Sequence, residues 1–231
     1  PGKKGKKTKN EKPLLPRLVA ALASAFDTWL DRDDLAGLER VAALAREVDD
    51  RGLRLGEDED DPEGFGHHLS LGMNLGRYAV AWDALGPQVD ERTRAVLRDV
   101  GCNLLDVYMA AANDRVWPCT TNANANTVTN ANGGMLALAL LREHPRAAEA
   151  LQLARRWLWR HLDYCQGPDG GNTEGAQYWE YGVMYLLQFG TMLEAVTGED
   201  DGILSHPSIA NLSGMIRLGL CPDGGMHGMN D

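Results

Sequence analysis

Apolar residues recur at helical spacing along most of this chain. Leu35, Leu38, Val41, Ala42 and Ala45 fall at i, i+3, i+6, i+7 and i+10. Leu97, Val100, Leu104, Leu105 and Met109 form a second stripe. The pattern predicts helices over 14–30, 35–48, 67–85, 90–112, 133–141, 145–164, 173–196 and 206–220. Breaks are supplied by Asp31–Asp34, Gly86-Pro87, Trp117-Pro118 and Gly198, and Asp90 is a ready N-cap. No stretch alternates as a strand does. The expected fold class is all-α, with consecutive helices paired as antiparallel hairpins. Bundled, stacked and ring-closed arrangements all satisfy this periodicity.

Two stretches depart from ordinary core patterning. The first is Thr120–Gly134, where Asn122, Asn124, Asn126, Asn130 and Asn132 crowd together. Asparagine competes with helical backbone hydrogen bonds, so a turn-rich lead into a helix at Gly133 is expected. Amides also suit carboxylates and sugars, since each side chain offers donors and an acceptor. The second stretch is Asp169–Gly182. A glycine turn enters a helix with Glu174, Tyr178, Tyr181 and Tyr185 at i, i+4, i+7 and i+11. That stripe predicts a polar cleft lined by hydroxyls.

Charge is segregated. All six lysines lie in the first twelve residues, which with Glu11 carry +5; the remaining 17 arginines and 32 acids leave the rest at −15. Residues 1–13 therefore form a basic low-complexity tail, expected to be solvated. The acidic body argues against a nucleic-acid partner, and any acidic ligand needs local arginines, of which Arg115 is nearest the asparagines. The acidic run 57–61 is expected to be a solvated loop. No apolar run approaches the roughly 18 residues of a membrane span. Cys102, Cys119, Cys165 and Cys221 lack metal-site spacing and are expected to be buried thiols.

Together the two stretches carry a resemblance. Asn124-x-Asn126-x-Val128-x-Asn130 resembles the asparagine motif of the heparinase II/III-like polysaccharide lyases, with Ala125 where that motif has tryptophan. Pro168-Asp-Gly-Gly-x-x-Glu174-Gly-x-x-Tyr178-Trp179-x-Tyr181-Gly182, continuing to Leu193-Glu-Ala-x-x-Gly198, resembles the family's second motif in order and spacing. The resemblance runs from about residue 75 onward. It implies an α/α toroid over 14–220, incomplete here, with 221–231 leading toward a β-sandwich domain. It also implies β-elimination on a uronic-acid glycan without a cofactor or metal, and a periplasmic or secreted setting. Tyr178 would be the base and acid, and Asn124 the group that neutralises the uronate. Asn122, Asn126, Glu174, Tyr181, Arg115 and Trp179 would bind substrate, with Trp117 a further stacking candidate. The family commonly adds a histidine from its β-domain; His227 is not assigned that part, and His67 and His68 are candidates from the helical side. A glycoside hydrolase using Asp169, Glu174 or Glu180, and a non-catalytic glycan-binding domain, are the alternatives.

Overall fold

The computed structural model describes residues 14–53, 69–115, 117–172, 174–219 and 221–224. The basic tail, most of the acidic loop, His67, His68 and His227 lie outside the described residues. Ten α-helices account for most of what is described: α1 (Leu14–Arg32), α2 (Gly37–Arg51), α3 (Leu69–Leu85), α4 (Glu91–Asn113), α5 (Trp117–Thr120), α6 (Asn124–Ala139), α7 (Ala147–Cys165), α8 (Ala176–Thr197), α9 (Pro207–Ala210) and α10 (Leu212–Gly219). Among the described residues there is no strand, only an isolated bridge between Gln166 and Asn172. The fold is all-α.

Local chemistry explains most boundaries. The Asp90 carboxylate accepts the Thr93 amide at 3.0 Å and its hydroxyl at 2.6 Å, which caps α4. Gly198 ends α8 in the left-handed conformation (φ 86°), where a Cβ would be strained. The last expected helix is instead two short pieces, α9 and α10, interrupted at Asn211, which sits between them.

The helices form two rows. α1, α3, α6 and α8 pack in succession, while α2, α4 and α7 pack behind them and close hairpins with α1, α3 and α6. Within the first row, α3, α6 and α8 run in the same direction. Gly72 faces Thr129 and Gly76 faces Asn132, so α3 and α6 advance together. Gly182 faces Asn124 and Gly134 faces Phe189, so α6 and α8 do too. Parallel neighbours joined through a second row differ from an up-down bundle, whose neighbours are antiparallel.

The largest departure from expectation is α6. The asparagine segment is itself helix, and every residue from Asn124 to Leu138 is buried. The helix is enclosed by α3, α7 and α8, with α4 and α5 also in contact. Tertiary burial has overridden a poor local propensity. The amides survive there because they bond outward to the neighbouring backbone. Asn126 Nδ2 donates to the carbonyls of Cys119 and Thr121, both at 3.1 Å, and Asn130 Nδ2 donates to Cys119 O at 2.9 Å. These satisfy carbonyls in and just after the four-residue helix α5, which is too short to pair them internally.

Candidate active site

The amino end of α6 meets the turn that precedes α8. Ala123 caps α6 without a side-chain bond, so the Asn124 amide has no acceptor from the cap side chain. Glu174 supplies one from fifty residues away: its carboxylate accepts the Asn124 backbone N–H. Burial raises the Glu174 carboxyl above its usual range, and the bond from Asn124 offsets part of that.

The Glu174 turn is held from several sides. Trp179 Nε1 donates to Gly170 O at 2.9 Å, Asn211 Nδ2 donates to Pro168 O at 2.8 Å, and Gly167 N–H bonds Gly171 O at 2.8 Å. The Glu174 amide is bonded in turn to Asn172 Oδ1 at 2.6 Å. The Asp-Gly-Gly sequence thus acts as a folded clip that delivers Glu174 to α6.

α8 then approaches α6 closely. A Cβ on Gly182 would lie 2.9 Å from Thr127 Oγ1 and 3.3 Å from Asn124 Cβ. Tyr178 stands one turn before Gly182 on that side of the helix, and 44% of it is exposed. Asn124 is almost fully buried, and its Nδ2 has no hydrogen-bond acceptor among the described residues. The two motifs therefore meet, with an orphan amide donor beside the tyrosine-bearing face.

The other expected site residues divide. Tyr181 is half-buried; Tyr185 donates to its hydroxyl at 3.3 Å, with the rings edge to face at 5.2 Å. Burial and the bond to Tyr181 push the Tyr185 phenol up, which disfavours it as a base. Glu174 precedes α8 rather than continuing its stripe. Asn126 is 2% exposed and spends its amide on α5 carbonyls, so it braces the site instead of facing substrate. Trp179 is corrected in the same way: its ring is buried against Val183 and its N–H holds the clip, leaving no face for a sugar. Asn122 is exposed just before α6. Arg115 is exposed in the α4–α5 connection at φ 55°. The Trp117 side chain lies outside the described residues. Two of the four cysteines, Cys102 and Cys221, are only partly buried; all four are free thiols. Among the described residues, no cluster of His, Cys, Asp and Glu could hold a metal ion.

Sequence reasoning missed a polar pair on α7. His161 is 1% exposed, and its Nε2 lies 3.2 Å from Gln166 Nε2, so Nε2 is the acceptor and Nδ1 carries the proton. His161 Nδ1 and Gln166 Oε1 have no partner among the described residues. Burial lowers the His161 pKa from 6.5 to about 4. The signal was present, since His161 falls on the stripe Leu151, Ala154, Leu158, Cys165. The unfolded chain binds this proton near pH 6.5 and the folded chain only near 4. Stability from His161 is therefore present above 6.5 and lost as pH falls toward 4, by about 3 kcal/mol at most. In thermal melts across that range, His161→Asn should flatten the acid loss relative to wild type; an unchanged slope would remove His161 as its cause.

Asp163, His206 and Ser208 look superficially like a hydrolytic triad. His206 Nδ1 accepts from the Ser208 hydroxyl at 2.6 Å, but Ser208 is 1% exposed and Asp163 lies 3.8 Å from Nε2. The arrangement caps α9 and offers no accessible nucleophile.

No family model matches the chain, and no curated protein matches it. The resemblance of the two motifs rests on the motif residues themselves.

Proposed function

We propose that this chain is a polysaccharide lyase that cleaves a uronic-acid glycan by β-elimination. The observation that carries the reading is the unpartnered Asn124 amide donor, set against the face of α8 that bears exposed Tyr178. Two rows of helices with parallel inner neighbours also suit an α/α toroid.

The chemistry assigns each group one task. Elimination removes the C5 proton of the uronate and expels the 4-O substituent, leaving a C4–C5 double bond. The neighbouring carboxylate resists this while fully charged, because negative charge builds toward an enolate-like state. A donor on that carboxylate stabilises the transition state more than the ground state. Asn124 supplies it through its amide Nδ2, which has no acceptor among the described residues. Tyr178 takes the C5 proton as its own phenolic proton passes to the departing 4-oxygen, so the C4–O bond breaks and the hydroxyl is restored in one step. Glu174 holds the amino end of α6, and with it Asn124, in place.

The role given to the carboxylate sets the test. A susceptible glycan whose uronates have been reduced to primary alcohols should not be cleaved. Equal cleavage of native and carboxyl-reduced glycan would eliminate this mechanism and favour hydrolysis.

A further inference from the structure

One cavity has no part in the elimination chemistry. It opens between α3, α6 and α8, reaches Phe26 on α1, and encloses about 890 Å³. That is within the range of small-molecule sites. Sequence reading predicted hydroxyls here, yet the walls are largely apolar. Met73, Met135, Met184 and Met192 all line it, half of the eight methionines in the chain. Methionine walls adapt to flexible apolar ligands, and Met73 and Met184 are left 37% and 40% exposed.

Polar groups sit at defined places in this apolar chamber. Asn132 lines it at 1% exposure, and neither its Nδ2 nor its Oδ1 has a partner among the described residues. Leaving such an amide unsatisfied costs on the order of 1–3 kcal/mol. Gly76 of α3 lies directly against it, and any Cβ there would displace the amide oxygen. Arg77 follows Gly76 and also lines the cavity, close enough to Tyr185 to act on its charge. No carboxylate pairs with Arg77 among the described residues. Asp83 lines the same cavity six residues further along α3, about 9 Å by helical rise. Asp83 repels a second negative group, so a polyanionic chain does not suit the chamber.

We infer that this cavity binds a singly charged amphiphile, a carboxylate with an unbranched apolar tail. The carboxylate sits at Arg77, within reach of Asn132 and Tyr185, and the tail lies along the methionines. The site is independent of the elimination reading: Tyr178 and Asn124 are absent from its lining.

Titration calorimetry with dodecanoate below its micelle concentration tests this. Saturable one-to-one binding is expected. Arg77→Gln, at an exposed position, should weaken it about tenfold or more while leaving dodecanol binding unchanged. Met184→Glu should weaken dodecanoate too, by placing like charge on the wall, and Tyr178→Phe should not. Thermal melts of each variant check that the fold persists. No saturable binding, equal affinity for dodecylamine, or an unchanged affinity in a folded Arg77→Gln would each overturn the proposal.

Discussion

Tyr178→Phe should lower the elimination rate by roughly a thousand-fold or more while the protein keeps its fold. The expectation rests on what the hydroxyl alone can do. General acid–base transfer contributes about 10² to 10⁴ in rate, and Tyr178 is asked for both proton transfers, at C5 and at the leaving oxygen. Phenylalanine keeps the ring and removes only the transferable proton. The side chain is 44% exposed, so its loss should change stability by no more than about 1 kcal/mol. The KM should move little, because the proton is transferred only as the bond breaks. Tyr181→Phe is the informative companion, since Tyr181 shares a hydrogen bond with Tyr185 and should cost far less. Initial rates on one glycan, with melts of each variant, separate chemistry from folding. A folded Tyr178→Phe at wild-type rate would transfer the base to another residue.

The second large effect concerns stability. Asn130→Ala should destabilise the fold by about 3–5 kcal/mol. Asn130 is fully buried and joins three elements. Its Oδ1 accepts from the Tyr108 hydroxyl at 3.0 Å, and its Nδ2 donates to Cys119 O at 2.9 Å and Asn126 O at 3.0 Å. Alanine leaves the buried Tyr108 hydroxyl without its acceptor, removes one of the two amide donors to Cys119 O and opens a cavity between them. Asn122 belongs to the same sequence motif but is exposed. Asn122→Ala should therefore stay within about 0.5 kcal/mol of wild type. Urea denaturation of the pair measures the contrast. Similar midpoints would mean that the α4–α5–α6 network contributes little.

These two residues mark how far the sequence could be read. Periodic apolar stripes located the long helices, because burial on one face leaves a repeating trace. The asparagine run left no such trace. A helix buried on every side has no polar face, and its amides look like turn signals until the carbonyls of Cys119 and Thr121 are seen beside them. Glu174 and Asn124 were legible as separate motifs, and the structure joins them through a single backbone hydrogen bond. Trp179 was expected at the substrate through the resemblance, and the structure buries it. One residue on a helix is a turn of about 100°, enough to place Trp179 in the core and Tyr178 outside it. Asn132 stood out only as one of a run of asparagines, and His161 only as a polar residue on an apolar stripe; that Asn132 and His161 Nδ1 lack partners among the described residues is seen in the structure alone.

The central claim is that Asn124 and Tyr178 form one elimination site. It is tested most directly by incubating the purified protein with a panel of uronic-acid glycans and following the ultraviolet absorbance of unsaturated uronate ends alongside new reducing ends. The account predicts that, on at least one glycan, both signals rise together, one unsaturated end for each reducing end. Reducing ends without the absorbance would contradict it, as would the absence of both across the panel.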